Sequence, residues 1–191
     1  MNDGIYGELS AEQQETVKRI RRSIHVALSL IDDLHQLARA ETGHLAISLE
    51  PVDLPDLLRT IGEEYQAAAR ASGLSLSVAA ESSLPILQTS GARVRQIVSN
   101  LLSNAIKYTE KGSVTVRALR RRGGPFGDAE DWEVVEFIDT GPGIPLQKQE
   151  FIFAEFSRIG GDDKPGAVLG LAIGRVLAEA LVGHISVHDE L

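Results

Sequence analysis

The amino-acid sequence predicts an α+β protein: a two-layer α/β sandwich in which a mixed sheet has helices on one face, preceded by one long α-helix. Two observations lead to this prediction. Beyond residue 45, segments with helical periodicity alternate with short segments in which every second residue is apolar. Within residues 1–45, one uninterrupted helical pattern fills most of the segment. We therefore expect two units, residues 1–45 and residues 46–191.

The composition limits the classes of function. The chain has 191 residues, 43% of them hydrophobic, which is enough to bury a core. A formal net charge of −8 argues against a general nucleic-acid binder, which usually has a basic face. The absence of cysteine excludes disulfides and thiolate metal sites. No apolar run is long enough to span a membrane, so we expect a cytoplasmic domain.

The first helix is predicted from Ser10 to Glu41. Ser10 and Gln13 form a capping box at its start, and Gly43 ends the helical pattern. Its apolar residues have the spacing of a coiled-coil seam, at Val17, Ile20, Ile24, Ala27, Ile31, Leu34 and Ala38. Two interpretations stay open. The seam packs lengthwise against other helices, as in a four-helix bundle, or it lies on its own domain.

The other elements follow in order. A short strand lies in HLAISLEPVDL, and a helix capped by Asp53 reaches about Ser72. The alternating segment LSLSV then predicts a strand, and a third helix runs from about Ala92 to Tyr108. The segments SVTVRAL and WEVVEFID form a hairpin across a loop rich in glycine. A helix from Leu169 to Val182 and a last short strand, HISVH, complete the prediction.

Polar residues suited to chemistry lie on one side of the third helix. Spacings of four, four and three residues align Gln96, Asn100, Asn104 and Lys107. Amide oxygens suit a hard cation such as Mg²⁺, and a lysine meets phosphate as a point charge. A solvated helix face has the same pattern, so the stripe alone does not identify a site.

Two later segments add candidate groups. In FIDTGPGIP, Asp139 ends an apolar strand directly before Gly141 and Gly143. A carboxylate there can accept a hydrogen bond from an exocyclic amine such as that of adenine, although a plain turn has the same residues. The segment FIFAEFSRIGGDD, followed by KPGAVLGLAI, brings Arg158 and Lys164 near a helix start, where either could reach a phosphate.

In this order the segments resemble the catalytic and ATP-binding domain of two-component sensor histidine kinases, within the gyrase, heat-shock-protein-90 and mismatch-repair ATPase superfamily. NLLSNAIKYT is similar to the family's N box, DTGPGI to its G1 box, FAEF to its F box and GAVLGLAI to its G2 box. The resemblance implies the Bergerat ATP-binding fold for residues 46–191. The stretch LSAEQQETVKRIRRSIHVALSLIDDLHQLARAETGHL resembles the second helix of the kinase's dimerisation and phosphoacceptor hairpin, which assigns that role to residues 1–45.

The resemblance also implies cofactors and residue roles. ATP and Mg²⁺ are the implied cofactors, with Asn104 on Mg²⁺, Asn100 beside it and Lys107 on the phosphates, so that Asn100 and Lys107 are the implied catalytic residues. The other implied ATP-binding residues are Tyr108, Asp139, Gly141, Gly143, Ile144, Arg158, Gly166, Gly170 and Leu171. Hydrolytic members of the superfamily carry glutamate at the position of Asn100. An amide cannot take a proton from water, so phosphoryl transfer to a histidine is favoured over hydrolysis.

Three departures from the family pattern qualify this resemblance. Neither His25 nor His35 is followed by the acid and base of an H box, so we predict no phosphoacceptor in this chain. HDEL precedes the position of a glycine-rich final strand, so an edge strand is expected to be missing. Val168 replaces the middle glycine of the G2 box, and we expect it to weaken nucleotide binding without abolishing it.

Partners follow from the same resemblance. They are a phosphoacceptor helix on a missing segment or another chain, a response regulator receiver domain, and a second copy bound through the N-terminal helix. Two alternatives remain. Val168 would favour a scaffold or dimerisation module with a weak or dead nucleotide site. A serine/threonine kinase of anti-sigma type needs no H box, but the kinase-like first helix argues against it.

Overall fold

The structure is a computed structural model that describes residues 9–41, 47–81, 83–123, 130–149, 151–154 and 169–188. Five helices lie in this part of the chain: α1 (Ala11–Glu41), α2 (Leu54–Ala71), α3 (Gly91–Tyr108), α4 (Leu146–Gln149) and α5 (Gly170–Ala180). The same part of the chain has five strands: β1 (Glu50–Val52), β2 (Leu74–Ala80), β3 (Leu87–Thr89), β4 (Gly112–Arg122) and β5 (Asp131–Asp139).

The larger sheet is mixed, as predicted. Its order is β2-β4-β5, with β2 and β4 parallel and β4 and β5 antiparallel. Because parallel strands need a crossover, the chain passes from β2 through β3 and α3 before it enters β4. The predicted hairpin of β4 and β5 is confirmed, and its register pairs Val114 with Asp139. Strands β1 and β3 form a separate antiparallel pair.

The core lies between the larger sheet and two helices. Alternate residues of β4, Val114, Val116 and Ala118, are buried, as the twofold period of a strand requires. They join buried side chains of α2 and α3 in one apolar cluster, which includes Leu58, Ile61, Val98 and Leu102. Helices therefore cover one face of the sheet, which confirms the predicted α+β fold class.

The three longest helices begin with different capping arrangements. At α1 the predicted capping box is present: Ser10 N donates to Gln13 Oε1 at 2.9 Å, and Gln13 N donates to Ser10 Oγ at 3.2 Å. Asp53 caps α2 by accepting from Asp56 N at 3.0 Å. The side chain of Ser90 makes no capping bond to α3. Instead, Gly91 N donates to the carboxylate of Glu50 in β1, at 3.2 Å.

The seam of α1 is largely exposed. Four of its apolar side chains are between 53% and 62% exposed: Ile20, Ile24, Ile31 and Leu34. Among the described residues, α1 packs on the rest of the molecule at its carboxyl-terminal end, where Leu37 is buried with Leu169, Ile173 and Leu177. In the described part of the chain, the interpretation that the seam lies on its own domain is therefore wrong for most of its length. No helix described here is long and apolar enough to cross a membrane.

The predicted last strand is wrong. Residues 183–188 form no strand, although Ile185 and Val187 are half-buried while His184, Ser186 and His188 are exposed. Val182 takes a positive φ of 61°, and Gly183 N donates back to Ala178 O at 2.7 Å, so the chain turns directly after α5. The segment then follows α5 instead of pairing with a strand. The alternation of apolar and polar residues in this segment reflects that only one of its sides, with Ile185 and Val187, is half-buried.

Candidate functional site

Helix α3 has an apolar side and a polar side. Its buried residues Val98, Leu102, Ala105 and Ile106 face the core. The four polar residues predicted to share a stripe, Gln96, Asn100, Asn104 and Lys107, are all half-buried. Asn100 Nδ2 donates to Gly170 O at 3.1 Å, which joins the stripe to the first residue of α5. The stripe is thus not a freely solvated helix face.

A tight turn follows β5. Asp139 is the last residue of this strand and is exposed. Its Oδ1 accepts a hydrogen bond from Gly141 N at 2.8 Å and a longer one from Thr109 Oγ1 at 3.4 Å. Thr109 follows the end of α3 and is only 3% exposed. The carboxylate is therefore oriented by the turn on one side and by the end of α3 on the other.

Glycine is required in this turn for two physical reasons. A Cβ on Gly141 would lie 2.6 Å from Asp139 Oδ1 and 3.4 Å from Thr109 Oγ1, so a side chain there would displace the carboxylate. Gly143 has a positive φ of 71°, a conformation that residues with side chains rarely adopt. The backbone of the turn can therefore lie close to the Asp139 carboxylate, where a Cβ on Gly141 would collide with it.

Thr140 joins the end of β5 to the start of β4. Its hydroxyl donates to Lys111 O at 3.0 Å and accepts from Ser113 N at 3.0 Å. A Cβ on Gly112, whose φ is 108°, would overlap this hydroxyl. Sequence reasoning missed the roles of Thr109, Thr140 and Gly112. The available signal was the position of each threonine, one directly after the Lys107–Tyr108 pair and one directly after the acid.

The polar stripe on α3 ends at Lys107, whose ammonium group lies over the ring of Tyr108. Lys107 Nζ lies 5.0 Å from the centroid of the Tyr108 ring, within the range of a cation–π contact. Tyr108 is 46% exposed, so its ring is accessible to a ligand, whereas Lys107 is half-buried. Asn104, one turn earlier, is half-buried, and none of the described residues hydrogen-bonds its side chain. Its amide oxygen is therefore available to a hard cation.

The predicted site residues fall into three groups. The structure brings Asn100 to Gly170, with the half-buried Leu171 next in the first turn of α5. It brings Asp139 and Gly141 to the end of α3, where Tyr108 O would lie 3.5 Å from a Cβ on Gly141. Ile144 continues that turn, and its carbonyl accepts from Gln149 Nε2 at 2.9 Å. The third group lies outside the described residues: Arg158, Lys164, Gly166 and Val168.

Two carboxyl groups earlier in β5, those of Glu133 and Glu136, have shifted pKa values. A hydrogen bond from Arg117 lowers the pKa of Glu136, whose Oε2 lies 2.8 Å from Arg117 Nε. Burial raises the pKa of Glu133, and among the described residues its Oε2 finds no hydrogen-bond partner. Glu133 is paired across the ladder with Arg120, far along the strand from Asp139. These carboxyls therefore belong to the framework of the sheet.

Comparison with known proteins identifies the family. Residues 89–191, more than half of the chain, match the family model described as histidine kinase-, DNA gyrase B- and HSP90-like ATPase. The chain belongs to this ATPase family. The segment matched by the family model contains α3, the turn after β5 and α5, which are the elements that build the candidate site.

Relatives of this ATPase domain are sensor kinases. The aerobic respiration control sensor protein ArcB of Escherichia coli K12 is 33% identical over 190 residues, which cover 96% of this chain and 23% of ArcB. The adaptive-response sensory kinase SasA of Rippkaea orientalis is 33% identical over 93% of this chain and 47% of SasA. The chain thus spans less than half the length of these relatives. The predicted resemblance to sensor histidine kinases is confirmed.

Solved structures agree with this family fold. The crystal structure of full-length ShkA in complex with AMPPNP superposes with a TM-score of 0.81 and 35% identity, over 96% of this chain and 37% of that chain. A histidine kinase from Acinetobacter baumannii, AdeS, superposes with a TM-score of 0.73 at 20% identity and supports the fold alone. The long first helix lies within both aligned regions, because each covers nearly the whole chain.

Proposed function

We propose that this chain is the ATP-binding catalytic part of a sensor histidine kinase, and that it transfers the γ-phosphoryl group of Mg-ATP to a phosphoacceptor histidine outside this chain. Membership of the ATPase family and similarity to ArcB and SasA support the proposal. The complex of ShkA with AMPPNP supports an ATP-type ligand. The lack of an H box in this sequence is the reason for an external phosphoacceptor.

The turn after β5 is the observation that carries the proposal. Both hydrogen bonds that the described residues donate to Asp139 end on Oδ1. Oδ2 is therefore the oxygen left to accept from the exocyclic amine of adenine. Gly141 adds no side chain beside the carboxylate, so that the backbone of the turn can lie close to a flat ring. An exposed carboxylate fixed in this way fits an adenine base.

The polar stripe of α3 fits the phosphate side of the same nucleotide. We propose that the amide oxygen of Asn104 is a Mg²⁺ ligand, because Mg²⁺ is commonly held by few protein oxygens together with substrate phosphates. Lys107 supplies a positive charge one turn further on, and Tyr108 lies beside it. When bound, the metal neutralises charge on the phosphates. Asn100 cannot accept a proton from water, which supports transfer to a histidine over hydrolysis.

The exposed seam of α1 supports a set of partners. We propose that residues 1–45 belong to a dimerisation and phosphoacceptor hairpin, and that residues 46–191 form the catalytic domain. The side chains of Ile20, Ile24 and Ile31 are each more than half exposed, which suits burial against a phosphoacceptor helix and a second copy of the chain. A response regulator receiver domain would then take the phosphoryl group from the histidine, in the cytoplasm.

A calorimetric titration with ATP and Mg²⁺ tests the nucleotide site. We expect binding heat from the parent chain and none from Asp139→Asn. The introduced amide keeps the shape of the carboxylate but presents N–H groups to the adenine amine. Incubation with Mg-ATP and an intact phosphoacceptor helix should then yield acid-labile phosphohistidine. ATP binding without any transfer of the phosphoryl group would contradict the proposed reaction.

A second candidate function is a scaffold that joins helices through the seam of α1. The exposure of that seam is the observation that favours it. The scaffold needs no nucleotide, so it predicts no binding heat from a chain whose circular dichroism and cooperative unfolding show that it is folded. It also predicts that the chain self-associates with or without ATP, as measured by sedimentation.

A further inference from the structure

We infer that Asn100 is a positioning residue: its side-chain amide fixes the first turn of α5 against α3 and thereby sets the distance between the two helices that flank the phosphate side of the site. The consequence for ATP rests on the proposed function, whereas the contact between the helices does not. This role differs from that of a nucleotide ligand or of a group that activates water.

The hydrogen bond fixes how the amide of Asn100 is oriented. The carbonyl of Gly170 can only accept, so the group 3.1 Å from it must be the Nδ2 of Asn100. A carbonyl oxygen has two lone pairs, so Gly170 O can accept this bond and still accept from the amide of Gly174 within α5. The contact spans 70 positions of sequence, and it therefore joins two elements that are distant along the chain.

The surroundings make this hydrogen bond more than a surface contact. Ile173 of α5 and Leu169 directly before this helix are almost fully buried, and Ile97, one turn before Asn100 on α3, packs against the same cluster. Asn100 itself is half-buried beside them. A polar group at the edge of an apolar cluster loses more when its partner is removed than an exposed group does, because water replaces the partner poorly.

The position of the contact explains its consequence. Asn104 and Lys107 follow Asn100 on the same stripe of α3, while the first N–H groups of α5 have no partners within their own helix. A shift of α5 along α3 would therefore change the spacing between these N–H groups and the side chains of Asn104 and Lys107. Asn100 holds that spacing.

The same chemistry separates this site from a hydrolytic one. An ionised carboxylate at position 100 has no proton to donate to Gly170 O, and at about 3 Å it would repel that carbonyl. A general base at this position and the bond to α5 therefore exclude each other. The amide at position 100 keeps α5 in place at the expense of any activation of water.

Hydrogen exchange of the nucleotide-free chain tests the inference with Asn100→Asp, which removes the donor and changes little else in size. We expect the amides of Ile173 and Gly174 to exchange roughly two- to tenfold faster, the range for one lost hydrogen bond. Amides of β4 and β5 should keep their rates. Asn104→Asp is the matched control, because it makes the same chemical change on the same stripe without a bond to α5.

The ATP titration separates the possible outcomes. Faster exchange in α5 together with weaker binding of Mg-ATP by Asn100→Asp would support positioning. Unchanged exchange with weaker binding would overturn it and identify Asn100 as a direct ligand. If the parent chain binds no ATP but Asn100→Asp still loosens α5, the proposed function fails and the positioning role stands. Should the aspartate variant not fold, Asn100→Ala gives the same exchange comparison, and unaltered rates in α5 would overturn the inference.

Discussion

The turn after β5 and the start of α5 flank the same helix, yet only the turn has no room for a side chain. A Cβ on Gly141 would lie 2.6 Å from the carboxylate of Asp139. A Cβ on Gly170 would find its nearest neighbour, Asn100 Cγ, at 3.5 Å, an ordinary contact distance. The proposed adenine side thus depends on a glycine whose Cβ position is already occupied, whereas the proposed phosphate side is held by one side-chain amide.

This difference separates two kinds of glycine that look alike in the sequence. Gly141 is required by the geometry of the nucleotide-free turn, because its Cβ position is already taken. Gly170 has no positive φ, and in the described part of the chain no atom lies closer than 3.5 Å to its Cβ position. We therefore expect substitutions on the two sides of α3 to differ in size and in kind.

The largest effect is expected for Gly141→Ala. Its methyl group must displace either the Asp139 carboxylate or the backbone beneath it, at the loss of a hydrogen bond of about 1–3 kcal/mol. Binding of Mg-ATP should weaken by roughly 10- to 100-fold in a calorimetric titration.

Gly170→Ala is the matched control for that variant. The family resemblance assigns Gly170 to the ATP site, but a Cβ there would make only ordinary contacts, so we expect ATP affinity within about threefold of the parent. The melting temperature should be at least as high, because alanine is favoured over glycine in a helix by up to about 1 kcal/mol. Equal losses of affinity in the two variants would remove the distinction between the two sides.

The next prediction concerns α3, the helix that contacts both the turn after β5 and the start of α5. Glu50→Ala removes the acceptor at the first N–H of α3, so the free energy of unfolding should fall by about 1 kcal/mol, the usual cost of a lost cap. Urea unfolding measures it. Glu63→Ala is a control, because Glu63 is an exposed acid on α2. A similar loss in both variants would show that general charge, and not the cap, is responsible.

A smaller effect is expected at Thr109. Thr109→Val keeps the shape of this buried side chain and removes only the hydroxyl, whose bond to Asp139 is long at 3.4 Å. We expect Mg-ATP to bind roughly three- to fivefold more weakly, as for one weak hydrogen bond. Thr109→Ser retains the hydroxyl and should restore most of the affinity. If Thr109→Ser binds ATP no better than Thr109→Val does, the hydroxyl does not orient the Asp139 carboxylate.

The smallest effect tests the sheet away from both sides of the site. Arg117 lowers the pKa of Glu136, so its stabilisation is present above the pKa of the unfolded carboxyl and is lost as the pH falls through the folded pKa. Burial raises the pKa of Glu133, so its contribution is full below the unfolded pKa and is lost as the pH rises through the folded pKa.

Urea unfolding between about pH 3 and pH 7 should therefore separate these two carboxyls. Glu136→Gln should lower stability at neutral pH by less than about 1 kcal/mol, and Glu133→Gln should raise it slightly. Neither variant should change the affinity for ATP. A higher stability of Glu136→Gln or a lower stability of Glu133→Gln at neutral pH would contradict the assigned causes of the pKa shifts.

Features encoded by neighbouring residues could be predicted from the sequence. The capping box of Ser10 and Gln13, the helix α3 and the hairpin of β4 and β5 all depend on short-range patterns, and all are present. Features that depend on a distant partner could not. Strand β3 has only three residues and exists through its pairing with β1, and HISVH has strand-like alternation without a strand to pair with.

The site divides along the same line. Asp139 and Gly141 could be predicted as part of one turn because they lie only two positions apart in the sequence. The bond from Asn100 to Gly170 could not, because periodicity places Asn100 on a polar stripe without identifying what the stripe meets. Thr109 was missed because a threonine after a helix is common and its contact to Asp139 spans 30 positions. The roles of all the site residues in binding a nucleotide stay predictions, and Arg158, Gly166 and Val168 also lie outside the described residues.

Helix α3 is also the crossover that lets β2 and β4 run parallel, and this double use links nucleotide affinity to the folding equilibrium of the domain. The helix cannot leave its place without exposing the core that it shares with the sheet. Opening of the part of the site that lies on α3 is therefore nearly as costly as global unfolding, and both should share one cooperative transition. A ligand at saturating concentration would then raise the unfolding free energy of the whole two-layer domain, by about 2.7 kcal/mol at one hundred times its dissociation constant.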